Sequence, residues 1–265
     1  GKPIEIKPYA REIANRMIEE FMLVCNETIA EAMFYKKVPF VYRIHENPDA
    51  EKLQKFKEFA YNLGYVMKLS DEVHPKELQS IIEKVKGKNE EIVINTLLLR
   101  SMMQARYSPE NVGHFGLAAE YYCHFTSPIR RYPDLQIHRI IKEYLNGKLD
   151  DVRVKKLTNL VDYAAKQSSE TERVAQDAER EVDDLKKAEY MLDRIGEEYT
   201  GIISSVTSFG MFVELPNTIE GLVHITALDD DYYIYDESHL CLIGERNRKI
   251  YKLGDKVKVQ CSRVD

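Results

Sequence analysis

The chain has 265 residues, of which 44% are hydrophobic, so it is long enough for a sizeable core and for more than one domain. Its formal net charge of −6 excludes a generally basic surface that would coat nucleic acid, so any nucleic-acid contact must be local. The sequence shows no secretory signal and no apolar run of transmembrane length, and we therefore expect a cytoplasmic protein without membrane contact.

The N-terminal segment predicts an amphipathic helix. The opening GKPIEIKPYA lacks an initiator methionine, from which we expect a fragment cut from a longer protein. Apolar residues then recur at the helical period over residues 12–33. The other faces of this helix are polar, and Glu19 and Asn26 align on one of them. Spacing alone favours a solvated surface for these polar faces. The apolar stripe comprises Ile13, Met17, Phe21, Val24, Thr28 and Ala32.

A short strand and three helices are predicted next. The last helix, capped by Asn89, has apolar residues nearly all round and brings Arg100 and Arg106 toward the segment before His114. Arg106 and Tyr107 could contact a substrate, and a salt bridge at the helix end is the alternative. We interpret His45 as structural. The strand covers 38–44, and the helices cover 53–64, the segment opened by Pro75, and 89–105.

The sequence pattern changes three times within a few residues in the stretch 114–141. Apolar residues alternate over 115–125, which predicts a strand with one buried face. Ser127 followed by Pro128 is typical of a helix N-cap with proline at the first helical position. We therefore expect a strand that delivers the N-terminus of a helix.

Such a helix N-terminus can hold a phosphate. Its free N–H groups and dipole attract anions, and Arg130 and Arg131 would supply planar bidentate donors in the first turn. The alternative is a surface turn whose arginines are merely solvated. Local sequence by itself favours that alternative, because short motifs match often by chance.

A long helix is predicted over 154–195. Its charge-rich half, SSETERVAQDAEREVDDLKKAEYML, is typical of a solvated helix laced with pairs four residues apart. The four cysteines are widely spaced, without a zinc pattern, and we expect them to be reduced core residues.

From Gly196 onward the composition becomes typical of β-strands, with many β-branched residues and glycines. This change predicts a helix-rich domain over 1–195 and an all-β domain over 196–265. The fold class is therefore α+β. The segments SVTSFGMFVEL, EGLVHIT and YKLGDKVKV resemble the RNA-binding OB-fold barrel first known from ribosomal protein S-one. That barrel ordinarily has one more strand, so we expect an unpaired final edge.

The resemblance predicts a binding face on this barrel. Phe209 and Phe212 flank Gly210, so one ring can pack inward while the other stacks bases, although both could belong to the core. His224 joins them from the next strand. Lys256 is the candidate cation, accompanied by Arg246, Lys249, Lys252 and Lys258. We interpret Asp229–Asp231 as a solvated loop rather than a metal site.

Almost the whole chain resembles the RNase II and RNase R exoribonucleases, with the RNase R branch the more similar. The motifs that carry this resemblance are MIEEFMLVCNE, VYRIHENPD, QARYSPENVGHFGLA, TSPIRRYPDL, and the HR pair at His138 and Arg139. The resemblance implies the end of an RNB catalytic domain followed by the barrel. It also implies processive 3′-to-5′ hydrolysis of single-stranded RNA to nucleoside 5′-monophosphates with magnesium.

The resemblance also implies roles for individual residues. Arg130 would grip the scissile or a neighbouring phosphate, with Ser127 and Arg131 beside it. Glu19 would face the 3′-terminal nucleotide. Glu179, within DAEREVDDL, would be a buried carboxylate at the cleavage site, although Glu181 is an alternative register.

The family holds its magnesium with an aspartate, five residues, and then Asp-x-Asp, and this spacing does not occur in the chain. We therefore expect the metal ligands on a missing N-terminal part of the same polypeptide, no metal ligand here, and an inactive fragment. A hydrolase fragment and an RNA-binding module with a degenerate catalytic domain remain the two hypotheses.

Overall fold

The computed structural model describes residues 1–67, 73–88, 90–237 and 239–265. Its fold is α+β, as predicted, with a helix-rich part followed by antiparallel sheets. The helices are α1 (Ile13–Tyr35), α2 (Ala50–Asn62), α3 (Pro75–Val85), α4 (Glu91–Ser101), α5 (Tyr132–Leu145) and α6 (Asp151–Met191). The strands are β1 (Tyr42–Ile44), β2 (Arg106–Ser108), β3 (Glu198–Thr207), β4 (Gly210–Glu214), β5 (Glu220–His224), β6 (Tyr233–Asp236), β7 (Cys241–Gly244), β8 (Ile250–Lys252) and β9 (Lys256–Gln260).

Helix boundaries follow local capping chemistry. Asp49 accepts a hydrogen bond from the Lys52 backbone N–H at the start of α2, and Asp150 does the same for Arg153 at the start of α6. Pro75 occupies the first turn of α3, as predicted. Gly147, after α5, has a φ of +63°, the left-handed conformation that commonly terminates a helix. Asn89, the predicted cap of α4, lies outside the described residues.

One core joins α1, the two-stranded β1–β2 sheet, α5 and α6. Its fully buried side chains include Phe40, Ile44, Ile137, Ile140 and Leu157. A second core joins α2, α3 and α4 and continues into the interior of the sheets, where Ile203 and Leu242 are fully buried. The helix-rich part and the sheets therefore share apolar contacts.

The apolar stripe of α1 does not face the core of this chain. The helix forms, but its buried residues are Asn26, Ala30 and Met33. The apolar stripe is exposed, and Phe21 has 67% of its surface accessible. The helix is therefore amphipathic, as the spacing indicates, but its apolar side has no partner among the described residues.

The predicted strand over 115–125 is also wrong. The segment begins with a 3-10 turn (Phe115–Leu117) and continues as irregular chain. The carbonyl of Tyr122 accepts from the Arg43 backbone N–H at 2.9 Å, and the Phe125 N–H donates to the Asn26 side chain at 3.0 Å. Tyr122 and Cys123 are buried. Burial does not follow the alternation, since Leu117 is exposed and the neighbours Tyr122 and Cys123 are both buried. Single long-range hydrogen bonds replace a strand ladder.

Ser127 is not a helix N-cap. Its carbonyl accepts hydrogen bonds from the backbone N–H groups of Arg130 and Arg131, at 3.3 and 3.1 Å, and so closes a tight turn. Helix α5 begins after this turn, with Arg131 as its N-cap residue and Pro133 in its first turn. The helix starts later than predicted because Pro133, rather than Pro128, takes the favoured N-terminal position.

The C-terminal part consists of two antiparallel sheets, ordered β5-β4-β3-β9 and β6-β7-β8. Gly210 opens β4 at a φ of +152°, and an added Cβ would lie 2.3 Å from the Val223 carbonyl oxygen, so only glycine fits there. Strand β9 pairs with β3 and forms the sheet edge, and residues 261–265 form no strand. All four cysteines are free thiols. No helix in the described part of the chain is long and apolar enough to cross a membrane.

Candidate nucleic-acid interface

A buried carboxylate holds the turn from Ser127 to Arg131 by hydrogen bonds. Asp134, with no exposed surface, accepts from the Ser127 backbone N–H at 2.7 Å. The same oxygen accepts from Nη2 of Arg131 at 2.7 Å and from its Nε at 3.2 Å. Arg131 and Ser127 therefore face the protein, and their contacts fix the shape of the turn.

Arg130 points the other way. It is exposed, its neighbour Ile129 is fully exposed, and no hydrogen bond or ion pair to its guanidinium is formed by the described residues. A guanidinium on a fixed turn without a protein partner keeps all of its donors for an external anion. This geometry suits the phosphate contact expected from the sequence.

Two histidines beside the turn are held in the neutral form. Burial lowers the pKa of His124 from 6.5 to about 2, and the nearby charges of Arg131, Arg43 and Arg130 act in the same direction. Burial likewise lowers the pKa of His114 to about 4, with smaller effects of His45 and Arg43. Both imidazoles are therefore neutral at pH 7.

The two candidate glutamates lie on different helices. On α1, the carboxylate of Glu19 forms a two-pronged ion pair with Arg11, whose Nε lies 3.0 Å from Oε1. On α6, Glu179 is exposed, contrary to the expected burial, and so is Glu181. No hydrogen bond or ion pair within the described residues joins Arg130, Glu19 and Glu179.

Other residues considered from sequence have structural partners. Arg106 lies in β2 rather than at a helix end, and pairs with Glu46 at 2.9 Å. Tyr107 is buried, and its hydroxyl lies 2.9 Å from Nδ1 of His124. His45 accepts from the Gly116 N–H at Nδ1 and contacts the Met103 carbonyl through Nε2, at 2.9 and 2.7 Å.

The outer face of β4 and β5 brings three predicted residues together. Phe212 pairs across the strands with Leu222, and His224 is opposite Gly210. Phe209 is 47% exposed and meets Phe212 edge to face, with ring centroids 6.2 Å apart. The inward positions belong to Met211 and Val213, so neither phenylalanine is a core residue and both offer ring surface.

Lys256 lies on the same sheet. It pairs with Ile202 of β3, which in turn pairs with Glu214 of β4, so Lys256 lies two strands away from β4. It is exposed and has no ion pair to any described residue. Of the other cations, Lys258 pairs with Glu198 at 2.7 Å and Lys249 pairs with Asp230 at 3.2 Å.

Acidic residues near the barrel serve the protein itself. Asp231 accepts from the backbone N–H groups of Arg246 and Asn247, both at 2.7 Å, and so holds the β7–β8 turn. Throughout the described ranges, no group of three or more His, Cys, Asp or Glu side chains could hold a metal ion.

Sequence reasoning missed the residues that support the turn. Asp134 bonds to the turn itself, while Asn26 and Arg43 bond to the segment that leads into it. The only local signal was the three-residue spacing of Arg131 and Asp134, which permits a side-chain pair.

A free guanidinium on a fixed turn and an aromatic barrel face with a free lysine are together typical of a nucleic-acid-binding protein. Comparison with known proteins gives the family. The RNB domain matches residues 1–147, more than half of the chain, and the S1 RNA binding domain matches residues 192–265. The chain belongs to the RNB family.

Its relatives are ribonuclease R proteins. Ribonuclease R 1 of Lactococcus lactis is 53% identical over 266 residues, covering 100% of this chain and 33% of that protein. Ribonuclease R of Aquifex aeolicus is 48% identical over 266 residues, covering 100% of this chain and 37% of that protein. The structure of Mycoplasma genitalium RNase R in complex with ribose methylated single-stranded RNA has a TM-score of 0.91 and 33% identity, covering 100% of this chain and 42% of that one. The chain thus spans about a third of the length of its curated relatives.

Proposed function

We propose that this chain is part of a 3′-to-5′ exoribonuclease that hydrolyses single-stranded RNA to nucleoside 5′-monophosphates. The observation that carries the proposal is Arg130, an unpaired guanidinium on a turn fixed by Asp134, within a ribonuclease R sequence. Arg130 holds the phosphate at which cleavage occurs, and its donors stabilise the charge that shifts onto the phosphate oxygens. Ser127 and Arg131 maintain the turn.

The two glutamates complete this chain's contribution to the site. Glu19 recognises the 3′-terminal nucleotide, and its ion pair with Arg11 orients the carboxylate. Glu179 positions the substrate or the attacking water from α6. Its exposure in this chain leaves the carboxylate free for that contact.

The barrel feeds the RNA strand toward the helix-rich part. Phe209, Phe212 and His224 offer ring surfaces on which bases stack without sequence preference, and Lys256 contacts the backbone. The Mycoplasma genitalium relative is described in complex with single-stranded RNA, which supports the same ligand class here. In this proposal residues 1–195 form the catalytic domain and residues 196–265 form the RNA-binding domain.

Magnesium supplies the hydrolytic chemistry in this proposal. The described residues do not fit a magnesium site, because they contain no suitable cluster of ligands, and we assign no step to the ion within this chain. We place its ligands on the rest of the polypeptide. The expected compartment is the cytoplasm.

The rest of the polypeptide also has a place to pack. The apolar stripe of α1 is exposed, and α6 exposes Val174, Val182 and Leu185 in the same manner. Apolar side chains exposed at helical spacing are typical of an interface. We propose that the remaining part of a ribonuclease R polypeptide covers both faces.

The test uses the complete polypeptide that carries this chain. It is incubated with magnesium and single-stranded RNA that is labelled at the 5′ end or at the 3′ end in separate reactions. We expect the 3′ label to appear at once as a mononucleotide, while the 5′-labelled RNA shortens progressively. RNA binding without any mononucleotide release would contradict the proposal and favour a non-catalytic RNA-binding module.

A further inference from the structure

The irregular segment 122–127, which leads into the Arg130 turn, is attached to α1 by one buried side chain. Asn26 donates from Nδ2 to the Tyr122 hydroxyl at 3.1 Å and accepts at Oδ1 from the Phe125 backbone N–H at 3.0 Å. Its carbonyl accepts from the Cys123 thiol at 3.3 Å. A carboxamide that is 3% exposed and bonded through both ends fixes the position of this segment against α1.

The same segment is attached to α6 through Arg43. The Arg43 backbone N–H donates to the Tyr122 carbonyl, and its guanidinium pairs with Glu172 of α6 at 2.6 Å. The guanidinium also lies 4.7 Å from the Tyr107 ring centroid, and the Tyr107 hydroxyl is hydrogen-bonded to His124. Both charged side chains are mostly buried, with 12% and 25% of their surface accessible.

On each helix, the residue that makes the attachment and the candidate glutamate are the same number of residues apart. Glu19 lies seven residues before Asn26, and Glu179 lies seven residues after Glu172. Seven residues make about two helical turns, or roughly 10 Å, and return to nearly the same helix face. Glu181, nine residues after Glu172, falls on about the opposite face.

We propose that Asn26 and the Arg43–Glu172 pair are positioning residues that set Glu19 and Glu179 relative to the Arg130 turn. They touch no substrate. Each fixes the rotation and axial position of one helix against the segment 122–127, which leads into the Arg130 turn. The position of the glutamate two turns away on that helix is thereby fixed as well. This inference rests on the proposed function, because it assigns a purpose only if Glu179 acts in the reaction.

The test is a double-mutant cycle in the complete polypeptide that carries this chain. Glu172→Gln, Glu179→Gln and the double variant are compared by single-turnover RNA cleavage and by RNA affinity. Glu172 is used first because glutamine keeps the size of its side chain and can still accept a hydrogen bond from Arg43. Thermal melting checks that the variant folds. Glu170→Gln, an exposed change on the same helix, is the matched control.

We expect Glu172→Gln to slow cleavage on the order of tenfold or more with unchanged RNA affinity, because small misplacements of a reacting group are costly. In the Glu179→Gln background, the same change should have almost no further effect, since it acts through Glu179. Glu170→Gln should behave like the parent protein. The parallel cycle with Asn26→Ser and Glu19→Gln should show the same loss of additivity.

Two results separate the failure of this inference from failure of the proposed site. If Glu179→Gln slows cleavage but the Glu172 effect is absent, or simply multiplies with it, Glu172 does not act through Glu179 and the inference is overturned. If Glu179→Gln cleaves at the parent rate, Glu179 leaves the site, and both the proposed role and the inference fall.

Discussion

Asp134 is a carboxylate without exposed surface, and Arg131 is its only cationic partner within the described residues. Breaking such a pair from one side leaves a buried charge without compensation. Arg131→Met should therefore lower the free energy of unfolding by roughly 3 kcal/mol, as measured by urea denaturation.

Arg130→Met is the matched control for that change. Arg130 is exposed and has no partner in the described part of the chain, so its replacement should alter stability by at most about 0.5 kcal/mol. Equal destabilisation by the two substitutions would contradict the division between a structural Arg131 and a free Arg130.

The two buried histidines predict a pH dependence. The pKa of His124 is lowered from 6.5 to about 2 and that of His114 to about 4, mainly by burial. Between pH 6.5 and 4 the unfolded state therefore binds protons that the folded state does not, and stability falls as the pH falls. Urea denaturation from pH 7.5 to 5 measures this slope.

Replacement of one histidine tests the assignment. His124→Phe should make the dependence of stability on pH shallower, whatever it does to stability at pH 7. The variant lacks the one proton that His124 binds in the unfolded state but not in the folded state. An unchanged slope would mean that His124 is not buried in its neutral form.

At the scale of elements, local chemistry predicted the helices better than the irregular parts. Helices α2, α3, α5 and α6 carry their own signals, namely an N-capping aspartate, an opening proline or a terminating glycine. The segment 115–125 was mispredicted because its burial pattern depends on Asn26 and Arg43, which are distant in sequence. The exposed stripe of α1 shows the same limit, since periodicity identifies an apolar face without its partner.

The barrel face gives a prediction at this scale. Phe212→Ala should weaken single-stranded RNA binding by roughly 1 to 3 kcal/mol, since the half-buried ring offers a stacking surface. Lys256→Gln should instead lower the slope of log affinity against log salt by about 1, because one phosphate contact is lost.

Fluorescence titration over a range of salt concentrations measures both effects. Tyr61→Ala, which removes an exposed ring on α2, is the control and should change neither affinity nor slope. If Tyr61→Ala and Phe212→Ala weakened binding equally, RNA would not be bound specifically by the β4–β5 face.

At the scale of the whole molecule, the candidate site is assembled from distant parts of the chain. Sequence motifs singled out Glu19, Arg130 and Glu179. Spacing along the chain could not show that α1 bonds to the segment 122–127 directly and α6 bonds to it through Arg43. Nor could spacing show that the partner of Arg131, Asp134, is fully buried.

The chain by itself should release no mononucleotides from RNA. Its described residues offer no metal-ligand cluster, and hydrolysis by the family's route needs bound magnesium. Incubation of the purified chain with labelled single-stranded RNA and magnesium checks this expectation. Release above a buffer control would show that a metal site exists within these residues.

The most direct test of the central claim is single-turnover cleavage by Arg130→Lys in the complete polypeptide. Lysine keeps the charge but loses the planar pair of donors, so stabilisation of the shifting phosphate charge is lost while most RNA contacts remain. We expect the cleavage rate to fall on the order of a hundredfold, with RNA affinity nearly unchanged. A near-parental cleavage rate would contradict the account and leave the turn with a structural role alone.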